Sequence, residues 1–177
     1  LLQVQAKNGQ FSNDFIFHVT KDAESAADLK QTLNGRRVRR KLVDLLRRND
    51  FSRLLGTWVD EGTKGKRVKT TYAWKIKDRA IETISLEGKK RSDGLMTVNA
   101  KNGDILAIST DSEGALSYGE WEFKKKDAVA KVSHTTPQGR EVQVTVRYHF
   151  IDDDTMMLSV NIPSVPTIKV KMIREKK

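Results

Sequence analysis

The sequence predicts a mainly β protein, an antiparallel up-and-down barrel of about eight to ten strands preceded by one or two helices. Three observations carry that expectation. From Gly56 onward, short segments alternate apolar and polar residues with a period of two, about ten times over, which is the pattern of strands with one buried face. Turn residues separate the segments at spacings too short for helical crossovers, so neighbours in sequence pair antiparallel. A sheet of so many strands escapes exposed edges most simply by closing on itself.

Taken in order, Phe15, Phe17 and Val19 alternate with Ile16, His18 and Thr20 in a short strand-like run, a candidate edge strand. Ala23 to Leu33 favours helix, with Asp22 as N-cap and Asn34-Gly35 as stop. In a second helix, Val38, Leu42, Leu45 and Leu46 recur on one stripe, with Arg36, Arg40 and Arg47 opposite. Leu55 to Asp60 opens the barrel. Val68, Thr70, Tyr72, Trp74 and Ile76 share one face of the next strand, which turns near Lys77-Asp78. Ala80 to Leu86 returns, Leu95 to Ala100 follows, and Asn102-Gly103 is a hairpin signal leading into Ile105 to Ser109.

Leu116 to Phe123 and Ala128 to Ser133 form the next pair, before a turn at Pro137-Gln138-Gly139. The next strand sets Val142, Val144, Val146, Tyr148 and Phe150 on one face and Gln143, Thr145, Arg147 and His149 on the other. Asp152-Asp153-Asp154 turns the chain into Met156, Leu158, Val160 and Ile162. After the Pro163 and Pro166 corner, Ile168, Val170 and Met172 form a closing strand with Lys169 and Lys171 facing outward. This divides the chain into an N-terminal extension, 1–51, and a barrel domain, 52–177.

A chain of 177 residues buries roughly 70% of its unfolded surface, enough for one core without staples. Cysteine is absent, which removes disulfides, thiol nucleophiles and Cys-ligated zinc and leaves the redox compartment open. No apolar run reaches the roughly 18 residues of a membrane-spanning helix. The chain opens at Leu1, and LLQVQA places Val4 and Ala6 at the spacing that ends a signal peptide. The expectation drawn from it is an upstream segment removed and an extracytoplasmic location.

The formal charge is +10, and residues 36–53 hold eight basic residues against Asp44 and Asp50. Arg36, Arg37, Arg39, Arg40, Lys41, Arg47 and Arg48 are therefore candidates for a polyanion-binding face, on nucleic acid or an anionic surface. The bland alternative is the solvated side of an amphipathic helix that caps the barrel. Against nucleic acid, no aromatic residues are interleaved with these arginines to stack on bases.

The segment LLGTWVDEG at 54–62 resembles the opening strand of calycin-type, lipocalin-like barrels, in which a G-x-W element follows a short helix and its tryptophan closes one end. Together with SYGEWEF at 117–123, DAVAKV at 127–132 and DDDT at 152–155, it is similar to an uncharacterised bacterial β-domain found behind polyketide-cyclase-like domains in planctomycete-type proteins. The resemblance covers about residues 52–175 and implies the fold. It assigns Gly56 and Trp58 to a structural plug. The family has no agreed activity, lipocalin-like barrels host binding and structural roles alike, and the cysteines of secreted lipocalins are missing here.

No constellation for catalysis stands out. His18, His134 and His149 show no metal-ligand spacing, and none lies beside a carboxylate pattern that suggests a metal; no metal or other cofactor is expected. Asp152 to Asp154 lacks the ligand alternation of a calcium loop. Asp60 and Glu61, adjacent on a strand, face opposite sides and do not converge on one substrate. There is no G-x-S-x-G elbow and no phosphate-cradling loop.

The aromatics are more informative. Tyr72, Trp74, Trp121, Tyr148 and Phe150 are the candidate lining of the barrel. Barrels of this size lie between a filled interior and one that holds a single small ligand. Thr70 beside Val68, and Thr83 and Ser85 beside Ile81, put polar points on an apolar wall, as a selective pocket requires. The functional expectation is a non-catalytic binding module for a small apolar or amphipathic ligand. The alternatives are a polyanion adaptor and a structural domain with a filled barrel.

Overall fold

Ten antiparallel strands close into a barrel in which every strand pairs with its sequence neighbours and the first pairs with the last. The structure is a computed structural model and describes residues 41–99 and 102–176. The strands are β1 (Gly56–Asp60), β2 (Val68–Ile76), β3 (Ala80–Glu87), β4 (Lys90–Val98), β5 (Ile105–Asp111), β6 (Leu116–Lys124), β7 (Asp127–Thr135), β8 (Glu141–Phe150), β9 (Thr155–Asn161) and β10 (Ile168–Arg174). Closure is made at β1, where Trp58 sits opposite Thr70 on one side and Arg174 on the other. Among the described strands no sheet edge is left to template aggregation.

One end of the barrel is sealed by the segment ahead of β1. Helix α1 (Leu42–Arg48) buries Leu42, Val43 and Leu46, and the Val43 amide donates to the Asp78 carbonyl in the β2–β3 turn at 3.2 Å. The helix ends where the Asn49 side chain donates to the Leu45 carbonyl at 2.8 Å. A single 3-10 turn, Ser52–Leu54, then feeds β1. Leu42, Leu46, Phe51, Leu54, Trp58, Phe150, Met156 and Met172 are fully buried together at this end, each stabilising the fold by about 1.5–3 kcal/mol relative to exposure. The opposite end carries the loops at 61–67, 88–89, 112–115, 136–140 and 162–167.

Three sequence expectations are corrected. Lys41 has extended backbone (φ −82°, ψ 148°), so α1 begins at Leu42 and does not run back through Lys41 to Val38. Strand β4 begins at Lys90 instead of Leu95 and stops at Val98; its polar first half pairs with β3 through Glu87↔Lys90 and Ser85↔Ser92, and the lack of apolar alternation there hid it. Ile76 does not share the inward face of Val68, Thr70 and Tyr72, because a register shift between Trp74 and Ile76 leaves it 59% exposed. The expected run at 15–19, the helix at 23–33 and Val38 lie outside the described residues.

Candidate ligand cavity inside the barrel

Cross-strand register decides which side chains meet inside. Pairing carries one inward row across six strands: Tyr72, Thr83, Gly94, Ser109, Ser117 and His134 sit opposite one another in succession from β2 to β7. The next row inward is apolar, Ile81, Met96, Ala107, Gly119, Val132 and Val144. Below it, Trp121 pairs with Ala130, and Ala130 with Val146. Every one of these residues except Ile81 lines a cavity of about 320 Å³, together with Thr70, Ser85, Tyr148 and Leu158. That is the lower end of small-molecule pockets.

A ten-strand barrel is wide enough that side chains of this size do not fill it. Small residues enlarge the space further. A Cβ at Gly119 would lie 2.6 Å from the Lys131 carbonyl oxygen, so β6 and β7 approach too closely there for any side chain.

The floor is aromatic. Trp121 and Tyr148 stack with ring centroids 4.5 Å apart, Trp121 meets Phe123 at 5.9 Å, and Phe123, Phe51, Phe150 and Trp58 continue the chain of ring contacts into the sealed end. Such contacts add about 0.5–1.5 kcal/mol each beyond burial. The Tyr72 and Tyr148 phenols are neighbours on the cavity wall. Burial pushes Tyr72 well above its ordinary value, helped by the neighbouring phenol, and burial pushes Tyr148 up to about 12. Both are neutral hydrogen-bonding groups across the physiological range.

From mid-barrel to the open end the wall carries hydroxyls and one imidazole. Thr70 and Ser85 exchange a hydrogen bond at 3.0 Å, and Ser117 Oγ lies 2.9 Å from His134 Nδ1. Among the described residues, Thr83 and Ser109 have no side-chain hydrogen-bond partner, and both are half-buried on the cavity wall. No Asp, Glu, Lys or Arg among the described residues lines the cavity.

Of the carboxylates on inward positions near this end, Asp60 and Asp111 are held by their own loops. Asp60 accepts from the Thr63 hydroxyl at 2.6 Å, the Thr63 amide at 2.9 Å and the Val68 amide at 2.8 Å; these bonds, the Thr63 hydroxyl first, lower its pKa to about 2. Asp111 pairs with Lys90 at 2.6 Å and accepts the Ala115 and Glu113 amides, and the Lys90 bond foremost brings it to about 2.

At the sealed end, the Trp58 indole N–H donates to the Leu54 carbonyl at 2.9 Å. The Arg174 guanidinium covers the Trp58 ring, 4.5 Å from its centroid, and donates to the carbonyls of Leu55 and Arg53. Gly56 adopts φ 125°, and a Cβ there would lie 2.5 Å from Arg174 Nη1. The glycine is therefore what lets the arginine reach these carbonyls.

The residues expected at sites fall in different places. Tyr72, Trp121 and Tyr148 line the cavity. Trp74 is half-buried against the core without lining it, and Phe150 is fully buried in the sealed end. Of the basic set, Arg36, Arg37, Arg39 and Arg40 lie outside the described residues. Lys41 is 3.9 Å from Asp78, while Arg47 and Arg48 are exposed in the last turn of α1, where a cation complements the helix dipole.

Asp60 is buried in its loop and Glu61 pairs with Lys171 at 2.7 Å on the outside. Ser109, Ser117 and His134 escaped the sequence reading as cavity residues, because their shared row exists only through cross-strand register. The signal within each strand was a polar residue two positions from Ala107, Gly119 or Val132. His149 does face a carboxylate: its Nδ1 lies 2.6 Å from Asp127 on the exposed outer face, a pairing across 22 residues that local spacing does not reveal.

Among the described residues there is no group of three or more His, Cys, Asp or Glu placed to hold a metal ion, and no helix is long and apolar enough to cross a membrane. No protein-family model matches the chain, and none of the curated proteins matches it.

Proposed function

We propose that this chain is a lipocalin-like binding module that holds one small amphipathic molecule inside its barrel. The carrying observation is the 320 Å³ cavity with an aromatic and aliphatic floor and a wall of hydroxyls and one imidazole. An apolar enclosure with a few convergent polar groups is the general form of a small-molecule site. Buried stacking on Trp121 and Tyr148 supplies affinity, and the polar wall supplies orientation.

The Ser117–His134 pair reads as recognition and not as nucleophilic catalysis. Ser117 lies within β6, paired with β5 and β7, so its neighbouring amides are committed to the sheet and do not form an oxyanion hole. The test is a titration with the neutral fluorophore phenylnaphthylamine, following probe emission and tryptophan quenching. Saturable one-to-one binding is the expected result. Absence of binding at probe concentrations up to its solubility sinks the reading.

A further inference from the structure

We infer that the ligand is uncharged and carries its hydrogen-bonding groups along one edge, so that it is amphipathic side to side and not head to tail. This deepens the proposed binding role and rests on it. Two features of the wall lead here. The first is charge: among the described residues no Asp, Glu, Lys or Arg lines the cavity, and Asp60 and Asp111 are held by loop amides and, for Asp111, by Lys90. A carboxylate set against this wall meets no Lys or Arg and an ammonium group meets no Asp or Glu, and an unpaired charge taken out of water is penalised heavily.

The second feature is direction. The polar row does not form a ring at the mouth; it steps strand by strand from Tyr72, beside Tyr148 at the aromatic floor, through Thr83 and Ser109 to Ser117 and His134. On the other strands the wall is Val144, Val146 and Leu158. A fatty acid, polar at one terminus only, would leave most of the row facing methylenes. Thr83 and Ser109 carry hydroxyls without a protein partner among the described residues, and each offers one donor and acceptor capacity to a bound molecule.

Hydroxyl or carbonyl groups along one edge of a flat ring system satisfy this row while its other edge lies on the valines and leucine. At interior packing density the volume suits a compound of roughly two or three fused rings.

The experiment is competition against phenylnaphthylamine by three compounds of one shape: a dihydroxynaphthalene, naphthalene and naphthoate. The diol is expected to displace the probe at about tenfold lower concentration than either of the others, because it pairs the free hydroxyls while naphthalene leaves them unpaired and naphthoate brings in a charge. Thr83→Val with Ser109→Ala, two near-isosteric changes, is expected to bring the diol within about threefold of naphthalene.

Naphthoate binding as tightly as the diol overturns the inference, as does a diol no better than naphthalene on the parent protein. In both cases the probe still binds and the cavity reading stands. If the probe itself fails to bind, both fall. The ranking on the parent decides the question even if the double variant does not fold.

Discussion

Trp58 and Arg174 show how a single residue pair fastens a closed sheet. Opposite each other across the β1–β10 seam, they join ring, guanidinium and the carbonyls of Leu54, Leu55 and Arg53 into one cluster. Trp58→Ala removes a fully buried indole and is expected to destabilise by about 3–5 kcal/mol, before any change in ligand specificity. Arg174→Met keeps the stem but takes its donors from the Leu55 and Arg53 carbonyls, an expected loss of about 2 kcal/mol. Arg174→Lys does not restore it, since an ammonium lacks the planar fork. Denaturant titration measures all three. A Trp58→Ala protein with parental stability and no ligand binding makes Trp58 a binding residue instead.

At the scale of elements, Asp60 organises the β1–β2 loop through three hydrogen bonds to Thr63 and Val68, and stability follows its protonation. Its folded pKa of about 2 lies below the ordinary 3.8, so the unfolded chain binds the proton first as pH falls. The contribution is complete above about pH 4 and is lost as pH drops toward about 2. Asp60→Asn is expected to be less stable than the parent at neutral pH and to show a shallower loss of Tm between pH 4 and 2, read by thermal melts across that window. Parallel curves for parent and variant remove Asp60 from the acid response, leaving Asp111, which is depressed to a similar value.

The elements themselves were legible where one face was apolar throughout. Strand β8, with Val142, Val144, Val146, Tyr148 and Phe150, declares its inward face by period two alone. The first half of β4, Lys90 to Asp93, does not, because its outward residues, Arg91 and Asp93, are charged and its inward ones, Lys90 and Ser92, are polar. The bulge after Trp74 was invisible for a related reason: alternation says which residues share a face only while the register holds.

Much of the cavity's chemistry was hidden by that same dependence on register. Tyr72, Trp121 and Tyr148 carry their own signal as large aromatics on amphipathic strands, and they line the cavity. Ser109, Ser117 and His134 gain meaning only when β5, β6 and β7 are placed side by side.

For the whole molecule, what matters is that the ten-strand closure encloses more space than its side chains occupy, and a cavity retained in a folded core lowers stability relative to a filled one. Ala107 faces this space between Met96 and Gly119 in the apolar row. Ala107→Leu extends three carbons into it from the apolar row. The expected result is a gain of about 1 kcal/mol from the added apolar burial, together with at least about a tenfold loss of phenylnaphthylamine affinity, which is about 1.4 kcal/mol of binding. Denaturant titration and probe titration on the same preparation measure the two quantities. Opposite signs for stability and binding mark the space as one kept open for a ligand. A variant that is destabilised by a kilocalorie or more while binding the probe as the parent does places the probe elsewhere, and the barrel interior is then not the binding site.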